Sequence, residues 1–487
     1  MVRTAPAPDL TAHRAGDIDD AVVYGVVPAF YDPPGWAGVA ARLDGLADLG
    51  VSDLWLSPIT RTRPGDFGYA VTDYLDLRPE YGTKDEFRAL VQAAHERGMR
   101  VLMDVVPNHS SAEHPWFRDA VANGRSSPYW DFYDRDADGN PTHYFSWDHL
   151  PNLNYDNPDV QRVMLETFAF WVREFAVDGF RIDAIWGIRE RAPGWLALLV
   201  RELRRLEPEM VLIAEASARD PFYAEQGFDA AYDWTDRLGH WAWAGVFGGD
   251  APIGQAMTAA LTDGGRGYHA DALPLRFLNN NDTGSRFLPT HGIGCYRVAL
   301  AMLLTLPGLP CLFTGDEVGA EYRPYEQRGA IDWTDRAGLR DFTRRLIALR
   351  RGTPALHSRH WEALEVEPAE PVFAYLRTDD GASPVLVLLN FAADDLEVSV
   401  ALPAAVAGAF GGEVTDLWSG ASISAVSGGR VTAPVRGWEF RLLAPGAHPV
   451  SPCAPHPNRH PEGSRPRARG EGLCPPLPAR RERGAGG

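Results

Sequence analysis

The chain has 487 residues, is 45% hydrophobic and 23% charged, and carries a formal net charge of −18. That length supports a large core and more than one domain. Residues 447–487 hold seven Arg against three Glu, so the first 446 positions carry about −22, a charge that repels nucleic acid and anionic membranes and favours a neutral or cationic ligand.

Residues 1–20 are polar and Ala/Pro-rich, a flexible arm without the apolar stretch of a signal peptide. The first predicted strand is 22–27. Residues 36–49 have helical period and stop at Gly50, a C-cap signal. A second strand at 53–56, a helix at 84–97 ended by Gly98, and a third strand at 100–105 follow. Residues 110–156 break the alternation. They are rich in aromatics, Asp, Pro and Asn and too long for a plain connection. They read as a small inserted domain with a hairpin at 131–147, turning near Asp138-Gly139-Asn140. A helix at 158–174 begins with proline. The fourth strand is 179–183, followed by a helix at 194–206 and the fifth strand at 211–215. The sixth, 228–232, is the weakest. Strands at 275–278 and 310–314, with helices at 295–305 and 339–351, complete the series. Eight strands with interleaved helices predict an α/β fold, a (β/α)₈ TIM barrel over 21–109 and 157–352.

After residue 352 the pattern changes to alternation with turn residues. Strands at 372–377, 385–390, 396–400 and 439–443 predict a C-terminal antiparallel β-sandwich domain over 353–446. Residues 447–487, Pro-, Arg- and Gly-rich, lack the apolar surface to fold and are expected to be disordered. Cys295, Cys311, Cys453 and Cys474 show no metal-ligand spacing, and the first two lie in apolar segments as free core thiols. No uninterrupted run of 18 apolar residues predicts a membrane span. A cytoplasmic protein without nucleic-acid or membrane partners is the expectation.

The predicted strands end on polar residues. The third leads into Asp104 to His109, the fourth carries Arg181 and Asp183, the fifth ends at Glu215, and the seventh runs into Asn279-Asn280-Asn281-Asp282. In a β/α barrel these ends share one mouth. A lone strand-end Asp is often a helix cap. Carboxylates from several strands beside an Arg and a His describe a polar pit. Crowded acids raise one another's pKa, which suits chemistry that needs one carboxyl protonated and another ionised. Glycoside cleavage is such chemistry. Arg181 and Asp183 lie two apart and point to one side of the strand, so the guanidinium is expected to keep Asp183 ionised and nucleophilic. Glu215, more shielded, suits the general acid, and Asp282 can stabilise positive charge on the sugar.

Residues 104–109, 179–183, 214–215 and 277–282 resemble the four signature regions of the α-amylase family (glycoside hydrolase family thirteen). Residues 68–74 resemble its stacking loop after strand two, and Leu150-Pro151-Asn152-Leu153-Asn154 its fifth region. The likeness spans roughly 22–443, in order. It implies retaining cleavage of α-glucosidic bonds in α-glucans or short maltooligosaccharides, with Asp183 as nucleophile, Glu215 as acid/base and Asp282 as transition-state stabiliser. Asp66, Tyr69, Asp104, His109, Arg181, Trp186 and Asn281 become the candidate substrate-binding residues. Two positions depart from the family pattern. Asn281 stands where His is usual, and Trp186-Gly187 stands where Lys-His is common. Both bear on acceptor and substrate specificity more than on the chemistry. A transglycosylase or isomerase of the trehalose or sucrose type is the alternative. A non-catalytic carbohydrate-binding relative is disfavoured by the intact carboxylates. No cofactor is required. Calcium is left open: Asn108 matches a ligand position of many relatives, whereas residues 134–139 mimic only the opening of a calcium loop and Phe145 stands where its closing Glu would be. A monomer or small homo-oligomer is expected.

Overall fold

The computed structural model describes residues 18–446 apart from 235–241, 263–267, 269–270, 382 and 424–425. The expectations for residues 1–17, for the tail from 447, and for Cys453 and Cys474 lie outside the described residues.

Eight parallel strands close into a barrel: Val23–Val26, Asp53–Leu56, Arg100–Val105, Gly179–Ile182, Val211–Ser217, Ala230–Tyr232, Pro274–Phe277 and Leu309–Phe313. They follow chain order around the barrel, and the last pairs back on the first through Cys311 and Val23. Val23, Trp55, Leu102, Ile213, Tyr232 and Phe313 fill the interior. Their neighbours Tyr24, Leu54, Val101 and Leu212 face the surrounding helices. Burial on both faces explains why these strands read as continuous apolar runs. The sixth has only three residues, hence its weak signal.

The helix Lys84–His95 starts with a capping box, Thr83 accepting from the Glu86 N–H while Glu86 accepts from that of Thr83. The segment expected as one helix at 36–49 is two, Trp36–Ala40 and Leu43–Leu49, the second ended by Gly50 at φ 97°. The helices Ile185–Arg191 and Pro115–Asn123 were not expected. The helix Phe287–Thr305, kinked at Gly292, is long and apolar enough to cross a membrane. Here Val298, Leu300, Met302 and Leu304 are buried in the core, which explains its composition.

The inserted segment carries no strand ladder over 131–147. Isolated bridges pair Tyr133 with Leu153, Arg135 with Pro141 and His143 with Pro151. The turn lies where expected: the Gly139 N–H donates to the Asp136 carbonyl, and the Asn140 N–H to Asp136 Oδ1 at 2.8 Å. A bridge between His109 and Asn152 ties the insert to the barrel mouth.

Beyond the last barrel helix, a six-stranded and a four-stranded antiparallel sheet enclose a core that includes Val372, Leu376, Leu386, Leu388, Val398 and Val431. Val372–Arg377, Val385–Asn390, Leu396–Ala401 and Phe440–Pro445 answer the four expected strands. Phe373, Tyr375, Val387 and Leu389, on the other face of the larger sheet, join the outer core of the barrel. Buried Arg377 fastens this seam by donating to the carbonyls of Thr305, Leu356 and Ser358, and on the barrel side buried Arg350 donates to those of Leu304, Leu306 and Gly308.

Candidate active site

Parallel closure puts the C-terminal ends of all eight strands at one mouth. Arg181 sits there, fully buried. Its Nη1 donates to both Asp104 oxygens at 3.0 and 3.1 Å and to Asp183 Oδ1 at 2.9 Å. Its Nη2 lies 3.2 Å from Glu215 Oε1, and its Nε donates to the Tyr232 hydroxyl at 3.0 Å. One guanidinium thus faces three carboxyls from three strands. Asp104, 0% exposed, also accepts from Trp55 Nε1 at 3.2 Å, whereas Asp183 (5%) and Glu215 (7%) open onto the cavity. Ala184 follows Asp183 in the left-handed region at φ 46°, a conformation that costs an L residue about 1–2 kcal/mol. There its N–H donates to Glu215 Oε2 at 2.5 Å, so the strained turn after Asp183 orients Glu215.

Burial dominates the electrostatics. It pushes Asp183 up to about 7, against Arg181 and with repulsion from Asp104. It pushes Asp104 up to about 7 as well, again against Arg181, with Glu215 repelling. The guanidinium does pull Asp183 down, as the sequence suggests, but three carboxyls divide it and burial outweighs it. Glu215 is raised well above the usual carboxyl range by burial, opposed by Arg181 and reinforced by Asp183 and Asp282. Glu215 therefore holds its proton more tightly than an ordinary carboxyl, while Asp183 loses its own near neutrality.

Asp282 closes the site from the seventh strand. Asn280 shapes the turn, its Oδ1 accepting from the N–H groups of Asp282 and Thr283 at 2.8 and 3.0 Å. Asp282 Oδ2 accepts from Asn281 Nδ2 at 3.0 Å, and Oδ1 accepts from the Tyr325 hydroxyl at 2.6 Å. Burial raises Asp282, and the Tyr325 hydrogen bond, Arg181 and Asn281 oppose the rise. Asn281 is 1% exposed. Its amide is divided among Asp282, the Tyr69 hydroxyl at 3.0 Å and the Tyr325 hydroxyl at 3.2 Å, so it lies behind the carboxylate.

Tyr69 forms one wall, its ring stacked with Phe67 at 6.3 Å. Asp66 both lines the cavity and folds this loop, its Oδ1 accepting from the N–H groups of Gly68 at 2.7 Å and Ala70 at 3.0 Å. His109 receives the Asn108 amide on Nδ1 at 3.3 Å, which leaves Nε2–H to donate to the Tyr69 carbonyl at 3.2 Å. Burial pushes His109 down to about 3, so the ring is neutral, and Tyr144 stacks on it at 4.8 Å.

The cavity has a volume of about 730 Å³. Asp66, Tyr69, His109, Asp183, Glu215 and Asp282 line it. Asp104, Arg181 and Asn281 lie beneath, and Trp186 sits to the side against Tyr144 at 5.9 Å and Phe145 at 5.7 Å. Phe145 and Trp147, 55% and 49% exposed, stand at the rim. These two, Tyr232 and Tyr325 were not among the candidates. The run Tyr144-Phe145-Ser146-Trp147 in an aromatic-rich insert was the available signal for the rim. Tyr325 lies in an aperiodic loop that offered none.

The donor set does not fit calcium. Asn108 Oδ1 accepts from Arg191 Nη2 at 2.7 Å, so a guanidinium already faces the one candidate ligand oxygen. Asp136 is turned onto the N–H groups of its own turn, and Asp134 accepts from the Thr142 hydroxyl at 2.7 Å. Among the described residues no three His, Cys, Asp or Glu side chains converge as a metal site.

Residues 32–202 match the family model described as "Alpha amylase, catalytic domain". The chain is 31% identical over 429 residues to alpha-amylase MalA of Haloarcula japonica, covering 86% of this chain and 61% of that protein. It is 31% identical to a cyclomaltodextrinase of a Bacillus species, covering 72% and 65%. It is 38% identical over 239 residues to trehalose synthase of a Pimelobacter species, covering 40% and 41%. The chain thus spans under two thirds of the length of these curated relatives. A solved cyclomaltodextrinase superposes with a TM-score of 0.75 at 25% identity, covering 88% of this chain and 78% of that one.

Proposed function

The chain belongs to the α-amylase family, and on that premise we propose that it is a retaining α-glycoside hydrolase acting on α-glucans or short maltooligosaccharides. The observation that carries the reading is the sharing of one buried guanidinium by Asp183 and Glu215 on adjacent strands, with Asp282 on the same cavity. Asp183, ionised near neutrality, attacks the anomeric carbon. Glu215, which keeps its proton, delivers it to the departing glycosidic oxygen. A covalent glycosyl-enzyme results. Glu215, now ionised, takes a proton from water as the water displaces Asp183, so the product keeps the α configuration. Asp282 stabilises the positive charge that develops on the sugar ring in both steps. Arg181 holds Asp183 in place and Tyr69 stacks on the bound sugar. The acidic body and the aromatic walls suit a neutral, hydroxyl-rich substrate.

A second reading is transfer to a sugar acceptor, of the trehalose synthase type. The likeness to that enzyme and the aromatic rim of Phe145 and Trp147 favour it, because a stacked acceptor competes with water for the intermediate. One experiment addresses both. The purified protein is incubated with maltotriose, isomaltose, sucrose and trehalose in turn, and products are followed by proton NMR. Hydrolysis predicts early α-anomeric products at the expense of substrate. Isomerisation predicts a new disaccharide. Initial release of β-anomers overturns the retaining reading.

A further inference from the structure

The segment 323–330 lies in the loop after the eighth strand and largely braces itself. Arg328 Nη1 donates to the carbonyls of Tyr325 and Gln327 at 2.9 and 3.0 Å, and Gln327 Nε2 to those of Gly329 and Ala330 at 3.1 and 3.2 Å. The segment is anchored at both ends. The Tyr322 hydroxyl donates to the Thr314 carbonyl, and the Ile331 N–H to the Phe30 carbonyl at 3.1 Å. Between these anchors, and among the described residues, the hydrogen bonds that reach the rest of the barrel are those of the Tyr325 hydroxyl. It donates to Asp282 Oδ1 and accepts from Asn281 Nδ2. The ring leans on Phe67 with centroids 4.8 Å apart, and the residue as a whole is 45% exposed. Its polar tip is therefore inside the site and its body at the rim.

That pair of bonds, one donated to a carboxylate and one accepted from an amide, is what a sugar hydroxyl would make at the same place. We propose that Tyr325 is a positioning and specificity residue, a latch whose hydroxyl occupies a sugar-hydroxyl position on Asp282 in the free enzyme and is displaced when the glycosyl unit binds. The inference rests on the reading of Asp282 as a sugar-facing carboxylate. The latch keeps Oδ1 of the half-buried Asp282 hydrogen-bonded in the empty site, Oδ2 being held by Asn281. It also makes binding competitive. A ligand gains Asp282 only by giving up the bond to Tyr325, so one lacking the matching hydroxyl leaves the latch closed. The segment 323–330 then swings about the anchors at Tyr322 and Ile331.

Tyr325→Phe removes the hydroxyl and keeps the ring on Phe67. Calorimetric binding of 1-deoxynojirimycin, a glucose-configured iminosugar, is compared for wild type and variant, alongside steady-state kinetics on 4-nitrophenyl α-glucoside. Binding or turnover by the wild type first establishes that the site takes a glucosyl unit, and its absence counts against the hydrolase reading instead. Given that, the latch predicts Kd and KM lowered by about 5- to 10-fold in the variant, the size of one net hydrogen bond no longer surrendered, with the gain in kcat/KM carried by KM. A fall in kcat at unaltered KM would show that Tyr325 stays on Asp282 through the transition state, and overturns displacement. Unchanged Kd and KM overturn it equally. A melting temperature within a few degrees of wild type confirms that the comparison is between folded proteins.

Discussion

Asp104 offers a way to move the charge of the site without touching the cavity. Asp104→Asn keeps the shape and, with its one carbonyl oxygen in the place of Oδ2, the bonds accepted there from Arg181 Nη1 and Trp55 Nε1; its NH2 replaces Oδ1, so the second bond from Arg181 is lost together with one negative charge. Asp104 Oδ1 and Asp183 Oδ1 lie 3.0 and 2.9 Å from the same nitrogen, Arg181 Nη1, and so no more than about 6 Å apart. Two unit charges at that distance repel by roughly 3 kcal/mol at an effective dielectric of about 20. That energy sets an upper bound of roughly two pH units on the effect on Asp183, because Asp104, itself pushed up to about 7, is only partly ionised where Asp183 titrates. As the proposed nucleophile, Asp183 attacks only when ionised, so kcat/KM is expected to fall as pH drops through its pKa. In the wild type that limb is expected near pH 7. In Asp104→Asn it moves down, by up to about two pH units, because one negative charge is gone and the guanidinium then serves one carboxyl fewer. The assay is kcat/KM on 4-nitrophenyl α-glucoside from pH 4 to 9. An acid limb that stays in place, or moves upward, refutes the account of how Asp183 is tuned.

Asp183→Asn should abolish turnover and, above neutral pH, stabilise the fold. The folded carboxyl titrates at about 7 against an ordinary 3.8, so the native state binds the extra proton and loses stability as pH rises from about 4 through about 7, up to about 4 kcal/mol. Thermal melts at pH 8 should favour the variant, with the gain shrinking toward pH 4; a variant that melts lower at pH 8 contradicts this. Gly187→Ala is expected to destabilise by about 1–3 kcal/mol, because the new Cβ would come within 2.7 Å of Asn108 Oδ1, the oxygen that holds Arg191. Differential scanning calorimetry checks it, and an unchanged melting temperature would mean that Asn108 moves freely.

The barrel was legible because both faces of its strands are buried, so each appears as a short apolar run ended by a polar residue. Asp183 and Glu215 stood out for the same reason: they interrupt such runs where the strand meets the mouth. The helix Ile185–Arg191 was invisible because it starts from a left-handed Ala184 without a side-chain cap. The insert was readable as an interruption but not as a fold, since isolated bridges leave no alternation to detect. Short strands of the C-terminal domain, such as Val414–Asp416, are too brief to show a period. What no pattern could reveal was proximity between distant loops. Asn281 next to its Asp was expected to face the sugar, yet its amide is taken up by Tyr69 and Tyr325, 212 and 44 positions away.

The central claim is that Asp183 forms a covalent bond to the sugar. Incubation with 5-fluoro-α-D-glucosyl fluoride, which slows release of the intermediate, followed by intact-mass and peptide mass spectrometry, tests it directly. The account predicts one fluoroglucosyl adduct per chain, on the peptide that contains Asp183, and none in Asp183→Asn. An active enzyme that accumulates no adduct, or that carries it on Glu215, Asp282 or another residue, would contradict it.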